Sequence, residues 1–122
     1  MQRIQLEIAI EVITRLGFYV RDVGLLDSAL ERPITRVYGA HVYPTIPLAA
    51  AAQSESLARN HALVDGNKRT TLIFLNIFLR INGLKHVMDS DTSYRLIMDI
   101  AEGQESLESI ASRLEPFLIP WS

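Results

Sequence analysis

The chain contains no cysteine among its 122 residues, so disulfides and thiolate chemistry are both excluded, and the composition suits a reducing cytoplasm. Neither sign of charge dominates. Twelve Lys and Arg stand against 14 Asp and Glu, a formal net charge of -2, which argues against a broad surface for nucleic acid or an anionic membrane. A local basic site is still compatible with that balance. Long apolar runs are missing too: the longest, Leu72 to Leu79, is broken by Asn76 and closed by Arg80, well short of the roughly 20 residues that cross a bilayer. The segment MQRIQLEIAIEVITRLG carries Glu7 and Glu11 inside its apolar stretch and does not read as a signal peptide. No repeat, low-complexity tract or linker divides the sequence. Its 48% hydrophobic residues are enough for one compact core. The expectation is one soluble, cytoplasmic domain over residues 1–122.

What is present is mostly helical. Ile4, Ile8, Val12 and Leu16 recur at helical spacing before Gly17, which predicts an amphipathic helix with that face buried. A second, short helix is expected from Gly24 to Glu31, with Asp22 near its start and Pro33 enforcing its end. From Ile34 to Pro47 the residues turn β-branched and aromatic, with Gly39, Pro44 and Pro47 as punctuation, the pattern of a loop with a short hairpin. A helix rich in alanine should run from Leu48 to about Val64, with Leu48, Ala52, Leu57 and Leu63 inward. Asp65 and Gly66 make a turn, and Asn67 starts a helix to Asn82, stopped by Gly83. That helix is apolar in almost every direction and belongs inside a bundle. Asp89, Ser90 or Asp91 can cap a helix ending at Gly103, and a last one covers Leu107 to Leu114 before Pro116. The fold class predicted is all-α, a single compact bundle with a central buried helix and one short β-prone flap.

Chemistry concentrates at the junction of the two long helices. His61, Asp65, Gly66, Asn67, Lys68 and Arg69 fall within nine residues, polar and cationic, beside the most apolar helix of the chain. A helix start offers unpaired N–H groups and partial positive charge, which together form an anion site. Gly66 lets the backbone approach the anion, and Lys68 and Arg69 add full charges suited to phosphate. His61, one turn before Asp65 if the helix persists, supplies a base with an unperturbed pKa of about 6.5. Asp65 supplies the hard oxygen that Mg²⁺ prefers alongside substrate phosphates. These are the parts of phosphoryl or nucleotidyl transfer. A P-loop is excluded, because Gly66 is followed by Asn67 and His61 takes the place of the first glycine. No kinase Gly-rich loop, HRD, DFG or HExxH occurs either.

The segment HALVDGNKR, His61 to Arg69, resembles the H-x-F-x-[D/E]-G-N signature of the Fic/Doc family, and its N-K-R continuation resembles the death-on-curing (Doc) branch. RDVGLLDSALERP, YPTIPLAAA and LARNH resemble the family's upstream segments, so that the likeness covers approximately Val20 to Gly83. The resemblance implies a toxin restrained by a cognate antitoxin, whose partly disordered C-terminal segment folds into a groove on the toxin. It implies ATP as co-substrate and Mg²⁺ as cofactor, with a threonine of elongation factor Tu phosphorylated. His61 would be the catalytic base and Asp65 the metal ligand. Gly66, Asn67 and Lys68 would form the anion-binding turn, and Arg69 would contact nucleotide phosphates. Val37 to Pro47 would be the target-docking flap.

Departures from the signature sharpen this. Leu63 replaces the Phe, one apolar anchor for another. Lys68 stands where Fic enzymes have a second Gly, and Leu72 where they have a second Arg that holds the triphosphate for adenylyl transfer. Phosphorylation is therefore expected over adenylyl transfer to a protein. A catalytically silent helical interaction module is the third reading, opposed by the retained His61 and Asp65. Outside the loop, His41 and His86 have no constellation around them and read as structural or surface residues, and Phe117 and Trp121 as packing or partner surface.

Overall fold

Side-chain caps decide where most of the helices begin. In a computed structural model describing residues 1–122, α2 (Val23–Glu31) starts where an Asp22 carboxylate oxygen accepts the Leu25 N–H at 3.0 Å. The α3 helix (Ile46–Arg59) is capped by the Thr45 hydroxyl on the Leu48 N–H at 3.3 Å, and α5 (Ser90–Glu102) by Asp89 on the Thr92 N–H at 2.7 Å. Ser106 caps α6 (Leu107–Leu114) on the Ser109 N–H at 3.1 Å. Only α1 (Leu6–Arg15) and α4 (Asn67–Ile81) lack a side-chain cap. Pro47, expected in the flap, instead occupies the first turn of α3, where its missing N–H costs nothing.

Helices α3 and α4 share the middle of the bundle. Along α3, Ala49 to Ala52, Gln53, Ser54, Leu57 and Ala58 are all buried, and the helix packs against α2, α4, α5 and α6. Small side chains permit that close approach on several sides. On α4, Phe74, Leu75, Phe78 and Leu79 are buried, while Asn76 and Arg80 keep one exposed strip. Inside this contact the buried Gln53 amide donates to the Phe74 carbonyl at 3.2 Å. No helix is long and apolar enough to cross a membrane.

The hairpin lies where the β-prone segment predicted it. Strand β1 (Arg36–Val37) pairs antiparallel with β2 (Ala40–His41), in register Arg36 to His41. Tyr38 and Gly39 at the tip have φ of 50° and 79°, as a two-residue turn of primed type requires. Arg32 ties the flap's base to α3. Its guanidinium donates to the Tyr43 hydroxyl at 3.0 Å, the Glu55 carboxylate at 2.9 Å and the Ala52 carbonyl at 3.1 Å.

Three expectations are corrected. The buried face of α1 is Ala9 and Ile13, with Leu6 and Ile10 partly covered, and Ile8 is 51% exposed. Of the expected stripe only Ile8 faces water, for Ile4 is buried just ahead of the helix and Val12 packs partly covered against the core. The α3 helix ends at Arg59, not near Val64. Finally, Leu84–His86 (β3) and Leu118–Pro120 (β4) form a second antiparallel pair, unseen in the sequence because such short strands so far apart leave no local pattern. Trp121 lies beyond it with its ring under the Arg80 guanidinium, 4.5 Å from the centroid.

Two measurements test this packing. Ala50 is fully buried, so Ala50→Leu should overpack α3 against its neighbours and lower the unfolding free energy by about 1–3 kcal/mol in urea titration. His86 accepts the Met88 N–H on Nδ1 at 3.2 Å, and burial holds its pKa below 6.5. A depressed histidine pKa means that its stabilisation is complete above the unfolded value and is lost as pH falls through the folded one. His86→Asn should flatten the fall in Tm as the pH drops below about 6.5.

Candidate active site

The loop between α3 and α4 is held from three directions. Asn60, the C-cap of α3, donates from its amide to the Leu25 carbonyl at 3.0 Å and accepts the Ala62 N–H at 3.1 Å. From the N-terminal third, Val20 bridges Leu63 antiparallel, and the Arg21 and Asp22 N–H groups donate to the Ala62 carbonyl at 2.8 and 3.0 Å. The Val64 N–H returns a bond to the Tyr19 carbonyl at 3.0 Å. From the far end, the Asn67 side chain accepts the Leu63 N–H and donates to the Leu63 carbonyl, both at 3.1 Å.

These ties explain why the helix does not persist to His61. With α3 ended at Arg59, His61 sits outside it at φ 54°, an exposed residue in the left-handed region. That conformation is uncommon for a residue with a Cβ, and surrounding structure must impose it.

The start of α4 is open. Its N-cap is Gly66 at φ 80°, with no side-chain cap, and no acceptor meets the N–H groups of Asn67, Lys68 and Arg69. Asp65 turns one carboxylate oxygen back onto the Gly66 N–H at 2.8 Å. Gly66 is required twice, by its φ and because a Cβ there would lie 2.6 Å from the Phe18 ring. Lys68 and Arg69 are exposed and enter no ion pair. Two unpaired cations at the positive end of a helix dipole are unfavourable alone, and an anion reverses that sign.

All six residues selected from the sequence line one cavity of about 350 Å³ with Ala58 and Val64. The Asn67 side chain is occupied by the loop, so its backbone N–H is what it can offer an anion. A second cavity of about 390 Å³ shares His61 and Lys68 and adds Arg59, Met98 and Glu102. A third, of about 340 Å³, shares Lys68 and Arg69 and is otherwise apolar, lined by Leu72, Tyr94, Ile97 and Met98. Lys68 thus borders all three, in a groove running from the loop along α4 and α5.

Sequence reasoning passed over Phe18, Arg21, Arg59 and the α5 face. Arg59 leans on Gly103 at the end of α5, where its charge suits the helix dipole. Phe18, Arg21 and the α5 face have no local signal, since each reaches the site from a distant element, and Arg59, two residues before His61, shows its role only through its contact with α5. As a metal centre the site is sparse. No group of three or more His, Asp or Glu could hold an ion, and Asp65 alone fits only an ion such as Mg²⁺ that arrives shared with substrate phosphates.

Sequence comparison assigns a family to this helical bundle, whose buried helix opens on a His-Asp-Gly-Asn-Lys-Arg loop. The Fic/DOC family model matches residues 1–79, so the chain belongs to the Fic/Doc family. It is also 48% identical over 100 residues to the protein named Toxin Doc of Mycolicibacterium smegmatis (strain ATCC 700084 / mc(2)155), covering 80% of this chain and 77% of that one. The family match begins at Met1, so α1 lies within it, ahead of the Val20 boundary that the resemblance suggested.

Gly66→Ala tests the loop. Its φ and the Phe18 contact should together cost about 1–3 kcal/mol of stability, read by denaturant unfolding. Adding Phe18→Ala should return only the contact part of that loss in a double-mutant cycle.

Proposed function

We propose that this chain is the toxin of a toxin-antitoxin pair and transfers the γ-phosphate of ATP to a threonine hydroxyl of a translation factor, elongation factor Tu being the first candidate. The observation that carries this is the shared cavity, in which His61 faces an open helix start bearing Lys68 and Arg69. Membership of the family and the likeness to a protein named Toxin Doc support the toxin assignment. In this reading the N–H groups of Asn67, Lys68 and Arg69, with the Lys68 and Arg69 side chains, bind and orient the phosphates. His61 takes the proton of the target hydroxyl. The hydroxyl oxygen bonds to the γ-phosphorus as the bond to the β,γ-bridging oxygen breaks, and ADP leaves. Asp65 would hold Mg²⁺ brought with the nucleotide, which supplies charge neutralisation.

Leu72 favours phosphoryl over adenylyl transfer. It lines the apolar cavity beside Lys68 and Arg69, where a second arginine would be needed to grip a triphosphate in the other orientation. An antitoxin segment laid in the groove along α4 and α5 would cover the same cations. With ATP and a translation factor as substrates, the reaction belongs in the cytoplasm.

Mass spectrometry of elongation factor Tu incubated with the protein, ATP and Mg²⁺ checks this: an added phosphate is expected, an added AMP supports the adenylyl transferase, and no adduct supports a silent binding module. His61→Ala should lower transfer by at least about 100-fold with little change in Tm, since the side chain is exposed. Lys68→Ala should weaken ATP binding in calorimetric titration, and an unchanged affinity would remove Lys68 from the anion site.

A further inference from the structure

The Arg21 side chain has one partner. Its Nε donates to the His61 carbonyl at 3.0 Å, and its Nη2 donates to the same oxygen. The residue lies 40 positions before His61, its side chain is exposed, and no carboxylate pairs with it. Meanwhile its backbone N–H, with that of Asp22, holds the next carbonyl, that of Ala62. Two successive carbonyls of the loop are therefore gripped by one two-residue segment, one by main chain and one by guanidinium. Between these grips and the Asn60 cap lies His61 with φ of 54°.

A residue with a Cβ stays in the left-handed region only if its neighbours over-determine it. The main-chain bonds to Ala62 and the Asn67 clamp on Leu63 fix the residues after His61, and the Asn60 amide fixes the residue before it. The peptide that follows His61 is held at both ends: its N–H, on Ala62, donates to the Asn60 amide oxygen at 3.1 Å, and its carbonyl accepts from Arg21 and from no other donor. Turning that peptide would swing the imidazole relative to the α4 N-terminus. We propose that Arg21 is a positioning residue for the reaction, fixing the His61 peptide so that the imidazole faces the anion site, and that it does not itself bind the phosphate. The inference rests on the transferase reading above.

The full-length chain, its Arg21→Ala and Arg21→Lys variants and the elongation factor assay provide the test. For Arg21→Ala, kcat should fall on the order of 100-fold, as misplacement of a reacting group does, with KM for ATP within about twofold of wild type. Tm should hardly move, because the main-chain bonds to Ala62 remain. Lysine restores one of two donors and should recover part of kcat. A wild-type kcat in Arg21→Ala overturns the inference, as does a raised KM with unchanged kcat, which would make Arg21 a nucleotide contact. A collapse of Tm, or a lysine variant no better than alanine, overturns it as well. Backbone carbon chemical shifts of His61 by NMR give a readout independent of activity. If the wild-type chain transfers nothing, the proposed function fails, and those shifts decide the inference alone: departure from left-handed values in Arg21→Ala supports it, and no change overturns it.

Discussion

The paired hydrogen bonds between the Asn67 side chain and the Leu63 backbone are the constraint on which the site depends. They close a tight ring across Val64, Asp65 and Gly66, so that the chain leaves one long helix and enters the next with no freedom between. Because α3 and α4 are already packed face to face, a loop of this length can satisfy its backbone only by turning sharply. Gly66 takes the left-handed conformation, and His61 is pushed into the same region at the other end. Removing the side-chain amide would leave two backbone groups without partners, at a cost of about 1–3 kcal/mol each where they are buried.

The same closure arranges the electrostatics. Gly66 at the N-cap has no side chain to offer and Asn67 points its own back at the loop, so α4 has no side-chain cap. A cap would have consumed donors that now face the cavity. Lys68 and Arg69 project from that first turn without carboxylate partners, whereas Arg3, Arg32 and Arg113 are each paired with carboxylates. The unfavourable charge placement is concentrated where an anion would relieve it, and the buried faces of α3 and α4 provide the stability that tolerates it.

Much of this architecture can be read locally. Asp22, Asp89 and Ser106 cap helices because their side chains reach an N–H within one turn, and Gly83 and Gly103 come just after helix ends because left-handed backbone favours glycine. The six residues of the cavity were legible for a similar reason, lying within nine positions on a turn that cannot separate them. The features that escaped were nonlocal. The β3–β4 pair joins residues more than 30 apart, the exposure of Ile8 on α1 depends on which neighbours cover that helix, and the apolar end of the groove is built from α5.

The sequence by itself determined the helical class, the stops of the helices other than α3 and the chemical character of the loop, because caps, glycine and side-chain charge act over a few residues. Tertiary structure decided the end of α3 and the left-handed setting of His61. Arg21, Asp22, Leu25 and Asn67 supply the bonds that outcompete one more helical turn, and the first three of these residues come from a segment about 40 positions earlier. A helix propensity of a few tenths of a kcal/mol per residue does not prevail against a set of such bonds.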